Sequence, residues 1–297
     1  MRTPPPPSDI TAFFPALRGH ERTTTMLHPT PGDPGVWDSS IGGPLLWPAG
    51  EPWPCHPYGC RTDRAPQTEP LPLIAVAQLW VRDLPDLPHP PGADLLQVLW
   101  VPDDSVDCLY GSRQGDPVDE CFQVRWRTAA DVTDPLPNPP RPGPGDGILL
   151  EEEYLPVPCT LHPERVGEYP PAWVLGKEFY DHVAEQDERL GTWYLGVRSY
   201  ADGCKVGGWP ADSNIGGPYD GWFTCDCGTP LEALLTIASM EVRHTPDTAP
   251  SSYRVPAEEP AGKALTEPTG LAVGDHTYLQ VFYCPASWDH PIRRRPM

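Results

Sequence analysis

The chain has 297 residues, with 44 prolines, 27 glycines, 11 tryptophans and 11 tyrosines; 21 basic residues stand against 41 acidic ones, a net charge of −20. Prolines this dense exclude a fold of long helices, because proline removes a backbone donor and breaks helix interiors, and the many large aromatics exclude a disordered chain. The charge sets aside nucleic acid as a general partner, since phosphate backbones repel it, and favours a basic protein or a cation, or serves solubility alone.

Residues 1–35 read as a proline-rich tail and a short helix. Ser8 or Asp9 caps that helix, Ile10, Phe13, Phe14 and Leu17 line it, and Pro15 keeps it short. Met1 to Asp9 lack an apolar signal core. No apolar run is long enough to cross a bilayer, so the expectation is a cytoplasmic protein without a membrane partner. Its nine cysteines are then mostly reduced thiols. Leu73 to Val81, a nearly unbroken apolar run, predicts a strand buried on both faces. Leu95 to Val101 predicts a second strand. Cys121 to Arg127 alternates, with Phe122, Val124 and Trp126 on one face and Gln123, Arg125 and Arg127 on the other. Thr133 to Gly147 is the strongest linker signal. Lys177 to Leu190 is the best helix candidate, and Trp193–Val197, Leu231–Val242 and Tyr278–Cys284 read as strands.

Two stretches repeat the same landmarks in the same order. Ile41-Gly42-Gly43-Pro44 precedes Leu73–Val81 and then Leu96-Gln97-Val98-Leu99-Trp100-Val101-Pro102. Val206-Gly207-Gly208-Trp209-Pro210 precedes Leu231–Val242 and then Leu279-Gln280-Val281-Phe282-Tyr283-Cys284-Pro285. This order implies two copies of one supersecondary unit. The fold class expected is therefore mainly β (α+β), a single domain with two pseudo-symmetric β-rich repeats and few short helices. One domain spans 36–290: repeat one about 36–127, a connector 128–200, and repeat two 201–290. Residues 291–297 form a tail. The paired glycines serve a tight turn or a close backbone approach.

The landmarks around Gly42-Gly43-Pro44, Val76-Ala77-Gln78-Leu79, Leu96-Gln97-Val98, Lys205–Pro210 and Leu234-Leu235-Thr236-Ile237 resemble the YwqG-like family of domains of unknown function. Pro158 to Arg165 resembles actinobacterial members. The resemblance covers roughly residues 36–290. It implies one β-rich domain with an internal two-fold, supplies no established activity, and suggests an immunity role beside secreted toxins for some members. This chain departs from the family at Thr236 and Ala238, where relatives often carry Gln and Asp.

Several residues are candidates for chemistry. Gln78, Gln97 and Gln280 lie in apolar strands, where a buried amide satisfies neighbouring backbone or holds a ligand. Trp47, Trp53, Trp209 and Trp222 sit in the glycine-rich loop regions; Trp47 and Trp209 pack over the core edge or form a recognition patch. Cys55-His56 and Cys60 in the first repeat, and Cys225 and Cys227 in the second, form a set that the two-fold would bring together as a zinc site, with reduced thiols packed as small hydrophobes as the alternative. Acidic runs at Asp103–Asp107, Asp116–Glu120 and Glu151–Glu153 lack calcium-loop spacing and offer a face for a basic partner or simple solvation. His162 with Glu164 and His182 with Glu185 are candidate acid–base pairs or structural histidines, and no nucleophile stands at a recognisable spacing. Three functions follow: a protein-binding module, including an immunity-type inhibitor of a basic toxin; a small-ligand binder or enzyme with a pocket between the repeats; and a zinc-stabilised structural protein.

Overall fold

The computed structural model describes residues 9–56, 70–101, 121–140, 154–190, 200–210, 223–241, 266–273 and 278–296. The expected strand Trp193–Val197, the three acidic runs, Cys60 and Trp222 lie outside these residues. The elements begin with α1 (Ile10–Phe13), whose Asp9 side chain accepts from the Thr11 amide, before a short 3-10 turn starts at Pro15. Strands β1 (Arg22–Met26), β2 (Thr30–Pro31), β3 (Ser40–Ile41), β4 (Cys55–His56), β5 (Leu71–Pro72), β6 (Ile74–Trp80), β7 (Leu95–Trp100), β8 (Phe122–Arg127), β9 (Cys159–Thr160) and β10 (Glu164–Glu168) follow. Then come α2 (Lys177–Leu190), β11 (Lys205–Gly207), β12 (Glu232–Ala238), β13 (Tyr278–Tyr283) and β14 (Arg293–Pro296).

These strands form two six-stranded antiparallel sheets and one small hairpin, β4–β5. One sheet runs β2-β9-β3-β6-β7-β8 and the other β10-β1-β11-β12-β13-β14. A single apolar core joins them, with Ile41, Val76, Leu79, Leu96 and Val98 from the first and Val206, Leu235, Ile237, Leu279 and Val281 from the second.

The two-fold is visible in the register. Gln78 faces Gln97 in the first sheet, and Thr236 faces Gln280 in the second. Each central hairpin has its bulge at the same step, between Ala75 and Ala77 and between Ala233 and Leu235. The bulge puts two consecutive residues into the core on each side, Val76-Ala77 and Leu234-Leu235. Leu96–Val101 and Leu279–Cys284 therefore occupy equivalent places.

The repeat also reaches further than the sequence landmarks. Met26 lies across from Lys205 as Thr160 lies across from Ser40, and β2 pairs with β9 as β10 pairs with β1. Leu27-His28-Pro29 and Leu161-His162-Pro163 link these strands in the two halves. Each copy thus lends its first strand, β1 or β9, to the other copy's sheet. The stretch assigned to an N-terminal tail contains the first two strands of one unit, and the stretch assigned to a connector contains those of the other. Likewise, Arg293–Pro296, assigned to a C-terminal tail, is edge strand β14 paired along β13. Arginine at an edge is sequence-neutral for strand formation, so pairing, not propensity, decides it.

The glycine doublets act as expected. Gly42 and Gly207 have φ of +67° and +66°. A side chain on Gly42 would meet Pro156 at 2.9 Å; on Gly43 it would meet Ser40 and Pro34, and on Gly208 it would meet Glu168 and Thr24. Both turns need an unhindered backbone.

Candidate metal centre

Each sheet must cover its outer face as well as its inner one, and the two units do this differently. In the first, the loop after Gly43 folds back and buries Leu45, Leu46 and Trp47. The Gln78 carbonyl accepts from the Leu46 amide at 2.7 Å and its NH2 donates to Val36 O at 2.7 Å. Gln97 Nε2 donates to Leu46 O at 2.9 Å and to Gln78 Oε1 at 3.0 Å. Arg127 Nε donates to Gln97 Oε1, and its terminal nitrogens bridge both Glu51 oxygens over the Trp47 ring. Hydrogen bonding from Arg127 holds the Glu51 carboxyl below the usual range. These amides spend their capacity on backbone, on each other and on Arg127. Gln280 is fully buried in β13, and Trp47 and Trp209 are buried too. Trp47 Nε1 donates to Glu51 O, and Trp209 Nε1 donates to His20 O.

In the second unit Thr236 stands where the first has Gln78, and its buried hydroxyl has no hydrogen-bond partner among the described residues. Lys205 takes the place of Ser40 and is wholly buried. Its Nζ donates to both Glu168 oxygens, at 2.8 and 3.1 Å, and to Trp209 O at 2.8 Å. Glu168 also accepts from the Ala201 and Trp209 amides.

The outer face of this sheet ends in a cluster of metal-ligating atoms. Cys225, Cys227, Cys284 and His290 place one ligand atom each within 4.8 Å of all the others. Cys225 and Cys227 come from a tight turn before β12. There the Cys225 amide donates to Thr229 O, the Gly228 amide donates to Cys225 O, and Gly228 adopts φ +86°. Cys284 directly follows β13, and His290 comes next on a turn in which the Ser287 amide reaches Cys284 O. Cys227 Sγ lies 3.7 Å from Cys284 Sγ; His290 Nδ1 lies 3.2 Å from Cys284 Sγ and 3.5 Å from Cys225 Sγ. A tetrahedral ion bound at ordinary zinc–sulfur and zinc–nitrogen lengths would have edges of about 3.8 Å between sulfurs and about 3.5 Å between sulfur and nitrogen. The site has that size, and it could hold a metal ion.

The electrostatics agree with the geometry. Hydrogen bonds from the Thr229 hydroxyl and backbone bring the Cys227 thiol down to about 6. Burial pushes Cys284 up, but the His290 hydrogen bond and its companions outweigh this and the thiol is lowered. The Cys284 hydrogen bond raises His290; for Cys225 the Cys227 backbone hydrogen bond pulls down most, but burial together with the neighbouring Cys227 and Cys284 sulfurs outweighs it and the thiol is raised. Arg293 of β14 donates to both oxygens of Asp226, between the two turn cysteines, at 2.9 and 3.0 Å. Its positive charge would offset the negative charge that three thiolates leave on a divalent ion.

Of the expected set Cys55, Cys60, Cys225 and Cys227, Cys60 lies outside the described residues and Cys55 does not join the other two. Cys225 and Cys227 belong to the cluster, whereas Cys55 lies on hairpin β4–β5, exposed, hydrogen-bonded to Trp53 O. The two hairpins cover the outer faces of opposite sheets, the first beside Leu99 and Val101 and the second beside Phe282 and Cys284, so the shared core separates them. The other two members of the cluster are Cys284 and His290, absent from the sequence-based set. The signals for them were a Cys-x-Cys-Gly turn and a Cys-Pro at the end of β13 with a histidine soon after. His162 is exposed, while His28 is buried and meets Glu164 at 3.0 Å. His182 packs edge-on against Phe14.

The fold and the cluster define a two-sheet β protein with an internal two-fold and a candidate metal centre on one unit. Comparison of the sequence with protein-family models and with curated proteins finds no match.

Proposed function

We propose that the chain is a zinc-stabilised protein-binding module, with the ion in a structural site. The observation that carries the zinc assignment is the spacing of Cys225, Cys227, Cys284 and His290 at the edges of one tetrahedron. Three soft thiolates and an imidazole favour zinc over hard-cation chemistry, and four protein ligands close the coordination shell as structural sites do, leaving no position for a substrate. Metal analysis of the purified protein tests this. One equivalent of zinc should be present, lost in Cys225→Ser, and chelation should lower the thermal midpoint. A protein without stoichiometric metal, indifferent to chelator, refutes the assignment.

The binding role rests on the net charge of −20, which would steer a basic protein to this surface. The YwqG-like resemblance extends that role to inhibition of a basic toxin. Capture from the native cell at low and high salt tests it: a basic partner held at low salt and released at high salt supports the role, and its absence at both refutes it. The enzyme or ligand-pocket reading finds less support. A groove of about 160 Å³ runs beside the first glycine turn, and Gly42, Pro44, Trp53, Ala75, Pro139 and Pro156 among its lining bring no titratable side chain to it.

A further inference from the structure

The four ligands are unequal, and the inequality gives the site a chemistry beyond holding the fold together. Cys225 and Cys284 are buried and His290 is half-buried, whereas Cys227 is exposed. A small oxidant in solution therefore meets one sulfur of the set before the others. That sulfur has a second cysteine close by: Cys284 Sγ is 3.7 Å away, on a different segment of chain. A disulfide needs about 2.05 Å between sulfurs and freedom to reach a dihedral near 90°. Two cysteines on separate turns can meet this by rotating their side chains once no ion spaces them apart. Cys225 is the poorer partner for Cys227, since one residue separates them in a tight turn closed by backbone hydrogen bonds at Cys225 and Gly228.

Resting on the zinc reading above, we propose that the centre is a peroxide-sensitive clasp, in which Cys227 is oxidised first and Cys284 resolves it, releasing the ion. In the first step the Cys227 thiolate attacks hydrogen peroxide. The O–O bond breaks, an S–O bond forms, and hydroxide leaves with the electron pair, giving the sulfenic acid. In the second step the Cys284 thiolate attacks the Cys227 sulfur. An S–S bond forms, the S–O bond breaks, and a second hydroxide leaves. Two thiolates have given two electrons, and one peroxide has become two hydroxides. The ion, left with Cys225 and His290, dissociates. A thiol reductant with added zinc reverses the change.

The release is transmitted to the core. The segment from Cys284 to His290 carries Trp288, which stacks on Tyr283 at 4.7 Å and meets Trp126 of the opposite sheet edge-on at 5.5 Å. Trp126 and Trp288 both pack against the shared core. Freeing the turn loosens a contact between the two sheets and changes indole fluorescence.

The test uses full-length, zinc-loaded protein and limiting hydrogen peroxide. Zinc release is followed with a chromogenic chelator, and free thiols are alkylated before peptide mapping. The expected result is release of the bound zinc in step with one linked peptide pair, Cys227 to Cys284, with Cys225 alkylated as a free thiol. A Cys227→His variant keeps a nitrogen ligand in place of the exposed thiolate and should hold its zinc through the same treatment. A wild-type protein that binds zinc but retains it under peroxide overturns the clasp and leaves the structural reading standing. So does a map in which Cys225 is linked or all cysteines oxidise alike. A wild-type protein that binds no zinc at all overturns the zinc reading instead. The peptide map of the wild type decides the matter even if the variant fails to fold.

Discussion

Replacing Lys205 by Met should be among the most destabilising single changes in the chain. Lys205 and Glu168 are 0% and 1% exposed at their side chains, and the ammonium makes three hydrogen bonds, two to the carboxylate and one to Trp209 O. Removing the cation leaves a buried carboxylate without its counter-charge, which costs about 3–5 kcal/mol. That is a large share of the roughly 5–15 kcal/mol that holds a typical domain folded. Replacing Glu168 by Leu strands the ammonium in the same way and also orphans the Ala201 and Trp209 amides, at about 1–3 kcal/mol each. The double variant removes both charges of the pair, so it loses only the amide partners and the donor to Trp209 O. The double variant should therefore be about as stable as Glu168→Leu alone, or more so, and far more stable than the two single losses predict when summed. Urea unfolding followed by tryptophan fluorescence gives all four stabilities. If the two losses simply add, or if Lys205→Met costs less than about 1 kcal/mol, the pair is not the buried, mutually dependent unit described here.

Other outcomes follow from the same structure. Gly42→Ala and Gly208→Ala each impose φ near +70° on a residue with a side chain, and that side chain runs into Pro156 or Glu168; each should cost about 1–3 kcal/mol, whereas Gly50→Ala, which faces open space, should change stability little in the same urea titration. The folded carboxyl of Glu51 is held below its ordinary value of 4.5, so the Glu51–Arg127 contribution is complete above that value and disappears as pH falls through the lower, folded one. Stability measured from neutral to acid pH should therefore fall further in the wild type than in Arg127→Met, and equal falls would remove the contribution. If a single zinc ion binds only the folded state, stability should rise by about 1.4 kcal/mol for each tenfold increase in free zinc once the site is filling; unfolding in zinc-buffered solutions checks the slope, and a flat line contradicts the site.

The internal two-fold was legible because its central hairpins are apolar on both faces and carry a repeated Leu-Gln-Val. Burial on both faces requires such runs, and the pairing glutamines mark the register. The outer strands were not legible. β2, β3 and β9 have two residues each, too few for any periodicity to show, and β14 is a run of arginines held by pairing with β13. The Leu-His-Pro sequences at Leu27 and Leu161 were the available signal for the exchanged first strands, since they recur with β-branched or polar neighbours instead of an apolar run. Of the candidate metal ligands, Cys225 and Cys227 were legible by type and by their place in the repeat. Cys284 was concealed at the end of the apolar run that forms β13, and His290 follows it in a proline-containing turn that gives no period to read.

The two units show why, among the described residues, a candidate metal centre stands on only one of them. Both must fasten a hairpin and a returning loop over the outer face of a sheet whose inner face is already committed to the shared core. The first unit does it with polar side chains: Gln78, Gln97, Arg127 and Glu51 tie the Trp47 loop to the strands. In the second, Thr236 replaces Gln78 and leaves a short hydroxyl where an amide could span the gap, and the neighbouring place is taken by Lys205, committed to Glu168. What could fasten its hairpin instead is the set at the strand end, where Cys284 occupies the position of Val101 and Cys225 that of His56 in the hairpin register. A bound ion would do there what a hydrogen-bonded network does in the other half, joining two turns of chain over a small apolar cluster of Leu231, Ala233 and Phe282. The prediction specific to this argument is an asymmetric response to chelation. Backbone amide exchange should accelerate in β12, β13 and the turns around Cys225 and His290, while β6 and β7 keep their protection. Equal acceleration in both central hairpins would mean that the ion supports the core as a whole rather than the half that lacks the glutamine network.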